Sequence, residues 1–174
     1  TVEYKPYPPS FYHTEQLKSL TRFRDSLVRQ HSKQLVELTN ILDKVFPEFK
    51  PFFDGRFSGT ALYILAHYQS PEKIANMNAK SYEALRKKSY GKFSMVKFAQ
   101  LKALAKDTVG RSDDFLLKQM EITIAIESQL DSKIDEIEAQ ISECIRELNP
   151  PILTIPGIGE RTAAVILAEY GDIN

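Results

Sequence analysis

Two stretches of this 174-residue chain repeat their apolar residues with the period of a helix, and each is too long for any strand. In the first, from about Thr14 to Phe46, Leu17, Leu20, Leu27, Val28, Leu35, Leu38, Ile41, Leu42 and Val45 share one face, and Pro47 stops the run. In the second, from about Ser112 to Leu148, Leu130, Ile134, Ile137, Ile141, Cys144 or Ile145, and Leu148 recur at steps of four and three before Pro150 and Pro151. No segment alternates apolar and polar residues as a half-buried strand must. The spacing therefore predicts an all-α chain with two long amphipathic helices of coiled-coil type, 13–46 and 112–148. These flank a small multi-helix insert over 47–111 and are followed at 149–174 by a helix-hairpin-helix element.

Within the first helix, Lys18, Arg22, Arg29 and Lys33 fall within about 60° of one face, opposite the seam, by the rotation that 3.6 residues per turn implies. Arg24 and His31 fall inside the seam, as a register-setting polar layer or as a gap in the pairing. Residues 1–12, with Pro6, Pro8 and Pro9, read as an extended linker. In the insert, Ser58, Ser70 and Ser94 stand where N-caps belong, and Pro71 suits a first helical position. Pro47, Pro51, Gly55 and Gly59 interrupt its entry, and Phe49, Phe52, Phe53, Phe57, Tyr63 and Tyr68 supply a small core. Ser112 stands as the N-cap of the second long helix, with Asp113 and Asp114 in its first turn.

The net charge of zero hides two opposed blocks. Residues 80–112 hold nine Lys/Arg against Glu83 and Asp107, whereas residues 113–147 hold ten acids against Lys118, Lys133 and Arg146. The basic block, with Tyr82, Tyr90 and Phe93 interleaved, is either a nucleic-acid contact or a surface that pairs with the acidic helix of its own chain. The acids belong mostly to a solvated helix face, and no nucleophile has an evident activating partner, so the chain offers no catalytic group. Cys144 stands alone and the three histidines are scattered, which gives no disulfide and no zinc spacing. There is no bilayer-spanning apolar run and no charged-then-apolar leader, so a reducing cytoplasm is the expected compartment.

Residues 153–171 read Leu-Thr-Ile-Pro-Gly-Ile-Gly-Glu-Arg-Thr-Ala-Ala-Val-Ile-Leu-Ala-Glu-Tyr-Gly. This is the pattern of the hairpin and second helix of a helix-hairpin-helix. Gly157 supplies a turn conformation closed to side chains with a Cβ, and Ile158 plugs the gap between the helices. Gly159 lets a helix N-terminus approach an anion, which its free amides and dipole favour, and Arg161 and Thr162 stand in the first turn. Ala163 and Ala164 keep the helices close, and Gly171 follows as a C-cap. The candidate nucleic-acid-binding residues are thus Gly157, Ile158, Gly159, Arg161 and Thr162 of the hairpin with Lys18, Arg22, Arg29 and Lys33 of the stripe. A tight helical corner without a ligand is the alternative.

Leu17-Lys-Ser-Leu-Thr-Arg-Phe-Arg-Asp-Ser-Leu-Val-Arg-Gln and Asn40-Ile-Leu-Asp-Lys-Val-Phe-Pro-Glu-Phe resemble the segment after the RuvC-like domain in DEDD transposases of bacterial insertion sequences, the insertion-sequence-one-ten family. Leu153 to Ile173 resembles the opening of that family's C-terminal transposase domain. The resemblance implies a DNA recombinase that excises and inserts its element, acting in the bacterial cytoplasm at the nucleoid. In the family a RuvC-like domain binds Mg²⁺ through an acidic tetrad, a C-terminal serine is the nucleophile, and a structured guide RNA can direct target choice. None of those groups maps onto this chain, which starts at Thr1 without methionine and ends at Asn174 shortly after the hairpin's helix. The expectation is a fragment that serves homodimerisation through the long helices and binding of DNA and guide RNA, with Ile158, Val165 and Ile166 exposed or packed on a neighbour. A structural coiled-coil module and a helix-hairpin-helix repair protein are the alternatives.

Overall fold

A computed structural model describes residues 9–170 of the chain, and the side chains of residues 14–170. Helices are α1 (Pro9–Val45), α2 (Phe49–Phe52), α3 (Gly59–Tyr68), α4 (Pro71–Ala75), α5 (Ala79–Lys88), α6 (Met95–Lys106), α7 (Asp114–Leu148) and α8 (Glu160–Tyr170), with a 3-10 turn at Pro151–Thr154. No strand occurs among the described residues, so the chain is all-α, as the periodicity dictates. No helix among them is long and apolar enough to cross a membrane.

Helix α1 starts earlier than expected. Residues 9–12 are helical rather than linker, because proline is tolerated where a first-turn amide lacks a partner anyway; residues 1–8 and the Gly171 cap lie outside the described residues. Helix α7 starts two residues later than Ser112. Its cap is Asp113, whose carboxylate accepts from the Leu116 amide at 2.8 Å, while the Ser112 hydroxyl donates to Glu72 instead. An aspartate suits this end doubly, since its charge also meets the helix dipole.

The chain divides into two compact units, 1–31 with 130–174 and 32–129, so each long helix contributes to both rather than framing a separate insert. In the unit 32–129, Leu38, Ile41, Leu42 and Val45 of α1 and Phe46 just after it join Ile64, Leu65, Ile74, Leu85, Leu101, Met120 and Ile124 in one core. Phe49 is fully buried there, and Phe52, Phe53, Phe57, Tyr63 and Tyr68 are partly buried against the same core. Ser58, Ser70 and Ser94 cap α3, α4 and α6 through their hydroxyls, and Pro71 opens α4. The loop after α6 closes this unit against the end of α1. The Arg111 amide donates to the Lys44 carbonyl at 2.8 Å, and Glu48 accepts from the Thr108 hydroxyl and the Val109 amide.

In the unit 1–31 with 130–174, Leu17 of α1 packs on Ile141 and Ile145 of α7 and on Ala163, Ala164, Leu167 and Ala168 of α8. Leu17 opposite Ile141 and Arg24 opposite Glu138 make the α1–α7 pairing antiparallel and within one subunit. Arg24 is the polar layer of the seam. Its side chain is 17 % exposed and its guanidinium lies 2.6 Å from Glu138, so the pair sets register instead of leaving a gap.

Candidate nucleic-acid interface

The path from α7 to α8 is built by three prolines and one glycine. Pro150 and Pro151 start the 3-10 turn, closed by the Thr154 hydroxyl donating to the Pro151 carbonyl at 2.8 Å. Pro156 and Gly157 then occupy the two central positions of a turn in which the Ile158 amide donates to the Ile155 carbonyl at 3.1 Å. Gly157 has φ +89°, the value that the second central residue of a type II turn requires. Ile158 packs back onto the small apolar cluster, and the Gly159 carbonyl accepts the first helical bond, from Ala163.

The front of this hairpin is open. A Cβ placed on Gly157 or on Gly159 would meet no atom within 4 Å, so no close contact inside the chain requires Gly159 to lack a side chain. The first-turn amides of α8 have no partner within their own helix. Behind them, Ala163 and Ala164 are fully buried in the cluster that holds Leu17, Ile141 and Ile145, where a larger side chain would have to displace a neighbour. Ile158 and Ile166 are half-buried and Val165 is exposed, so most of the α8 apolar face is satisfied within the chain.

The charges around the hairpin are mixed. Arg161 is exposed and lies 3.6 Å from Glu138, whose other oxygen holds Arg24 at 2.6 Å. Glu160 pairs with Arg146 at 3.2 Å. The Ser142 hydroxyl, and then the Arg146 guanidinium, hold the Glu160 carboxyl below the usual carboxylate range. Glu138, Ile141, Ser142, Glu160 and Arg161 line a cavity of about 230 Å³ beside the turn. Because Arg24 already neutralises Glu138 at short range, the longer contact of the exposed Arg161 is weak. Thr162 is exposed in the same turn.

Of the basic stripe, Lys18, Arg22 and Arg29 belong to the same unit as the hairpin, and Lys33 belongs to the other. Arg22 is not free, since it pairs with Glu169 of α8 at 3.3 Å, with both side chains largely in solvent. Lys18 is half-buried and Arg29 exposed, and neither makes an ion pair among the described residues. Among those residues no three His, Cys, Asp or Glu side chains lie close enough to share a metal ion. Glu138, which joins Arg24 to Arg161, escaped the sequence reading. The signal was the anomalous Arg24 in the seam, which demanded a partner somewhere on α7.

The basic block of α5 and α6 does not pair with the acidic helix. None of its nine cations makes an ion pair among the described residues, and all but Lys102 are exposed. Its aromatic residues divide: Phe93 is buried and Tyr82 packs on Phe98 at 5.3 Å, whereas Tyr90 stands in solvent.

Fold and site thus define an all-helical chain in which a type II turn delivers an open helix N-terminus beside exposed cations. No family model, curated protein or solved structure matches the chain.

Proposed function

We propose that this chain is the nucleic-acid-docking and dimerisation part of a DNA recombinase of the transposase kind, whose catalytic groups lie outside residues 1–174. The observation that carries the reading is the open Pro156-Gly157-Ile158-Gly159 hairpin at the start of α8. A phosphate can sit against its first-turn amides, with Arg161 and Thr162 beside it. Exposed Arg22 and Arg29 add salt-sensitive contacts. The resemblance of residues 17–30, 40–49 and 153–173 to one transposase family supports the recombinase assignment. On this reading Mg²⁺ and the nucleophile are supplied by other parts of the protein, and the residues described here bind and orient.

Gly159→Ala tests the phosphate contact. The added methyl meets nothing in the chain, so the fold persists, but it stands where the anion must approach. In a low-salt gel shift with duplex DNA, Gly159→Ala weakens binding about tenfold, the loss of one charge-assisted contact. Charge reversal at Arg22 and Arg29 together weakens it further. Unchanged affinity in both variants would leave the hairpin a structural corner. The dimer rests on α7, where Phe115, Ile122 and Ile126 are exposed at steps of seven and four. Light scattering of Ile122→Asp reads a monomer where the unaltered chain gives a dimer.

A further inference from the structure

Residues 84–106 contain seven Lys/Arg and no Asp or Glu. The turn joining α5 to α6 lies within this span, and its backbone is fully determined. The Gly91 amide donates to the Arg86 carbonyl at 2.8 Å and the Tyr90 amide to the Lys87 carbonyl at 3.1 Å. These are the two bonds of a Schellman cap. The Ser89 hydroxyl locks the turn further, donating to the Arg86 carbonyl and accepting from the Phe93 amide at 3.0 Å. In such a cap the residue after the C-cap is left-handed and ordinarily glycine. Here it is Tyr90, with φ +52° and 93 % of its surface exposed.

That choice works against the fold. A side chain with a Cβ is disfavoured in the left-handed region, and the ring buries almost nothing in return. Nothing in the packing of the unit explains a tyrosine there. On either side of Tyr90 in the chain, Arg86, Lys87, Lys88, Lys92 and Lys97 are exposed and make no ion pair among the described residues. A rigid turn therefore holds one aromatic face in solvent with cations on both flanks.

We propose that the α5–α6 turn is a contact for single-stranded nucleic acid, in which Tyr90 stacks on an unpaired base and the flanking cations take the adjacent phosphates. Unpaired bases offer a free π-face that a duplex withholds, and stacking on an aromatic ring is indifferent to base identity. An acidic peptide would use the cations and leave the ring idle. An anionic bilayer would need more apolar surface than Tyr90, Met95 and Val96 expose together. This contact is independent of the α8 hairpin and of its duplex reading.

The chain has no tryptophan, so Tyr90→Trp places a single reporter at the proposed stacking point. Titration of the full chain with an oligothymidylate quenches its emission, while a blunt duplex of equal length or phosphatidylserine vesicles do not. The logarithm of the affinity falls with the logarithm of salt with a slope of about −2 to −3, as three or four phosphates on a single strand require. Tyr90→Gly weakens oligothymidylate binding about tenfold by fluorescence anisotropy. The same variant melts a few degrees higher than the parent, because glycine accepts the left-handed turn. Gly159→Ala leaves the quenching unchanged, which separates this contact from the hairpin. Equal affinity of Tyr90→Gly and the parent overturns the proposal, as does quenching by vesicles or duplex in place of the single strand.

Discussion

Gly110→Ala should be among the most damaging single-methyl changes in this chain, and the reason is visible only in three dimensions. A Cβ on Gly110 would lie 2.2 Å from the Val45 carbonyl oxygen and 2.5 Å from its carbon. Both are backbone atoms at the end of α1, so no side chain can rotate away. Relief requires the 107–111 loop to retreat by about 1 Å, restoring ordinary non-bonded contact. That retreat stretches the 2.8 Å bond from the Arg111 amide to the Lys44 carbonyl beyond hydrogen-bonding range. It also strains the bonds from Thr108 and Val109 to Glu48. Two to three hydrogen bonds at about 1 kcal/mol each give a loss of about 2–3 kcal/mol. For a cooperative unit of this size that lowers Tm by roughly 10–20 °C.

The sign is as informative as the size. At an unconstrained position with ordinary φ, glycine to alanine stabilises by about 0.4–1 kcal/mol through the unfolded chain. Thermal unfolding followed by far-ultraviolet circular dichroism, with hydrogen exchange at the Arg111 amide, measures both. A Gly110→Ala chain melting within a degree or two of the parent, with Arg111 still protected, would refute the close approach.

Acid should weaken the unit 32–129 through two glutamates. Burial alone would raise the Glu48 pKa, but the Thr108 hydroxyl and the Val109 amide outweigh it and hold it below the ordinary 4.5. The Glu72 backbone amide, then the Ser70 hydroxyl, lower Glu72 likewise. Depressed folded-state values mean stability that is fully present above pH 4.5 and lost as pH falls through the lowered values. Melting curves at descending pH should show this, with a shallower fall in Glu48→Gln. Cys144 should alkylate more slowly in the folded chain than in urea at pH 8, because burial, then Glu147 and Glu143, push its thiol up; equal rates would contradict that. Ala164→Val, placed in the fully buried cluster of Leu17, Ile141 and Ile145, should cost about 1–3 kcal/mol. Its melt and its loss of duplex binding in the gel shift should move together.

Much of the site was legible because its chemistry is local. Pro156 and Gly157 specify a turn whatever surrounds them, and Ser58, Ser70 and Ser94 cap helices through bonds to amides three residues on. Features that depend on contact between distant segments were not legible. Arg22 looked like a free member of a cationic stripe until Glu169 was found beside it, and Ser112 looked like a cap until Glu72 claimed its hydroxyl. The basic block carried three aromatic residues of equal standing, and only packing separated the buried Phe93 from the exposed Tyr90.

By itself the sequence determined the all-α class and both long helices, since a 3.6-residue apolar period leaves no other structure able to bury that face. It also determined the hairpin, through residues that admit only one local geometry. Tertiary structure alone decided that the two long helices pair antiparallel within the chain, that Glu138 unites Arg24 with Arg161, and that Gly110 must be glycine. Those outcomes depend on which residues meet across 114 positions of chain for Arg24 and Glu138, 23 for Glu138 and Arg161, and 65 for Val45 and Gly110. Periodicity records the face a helix presents but not its partner on that face.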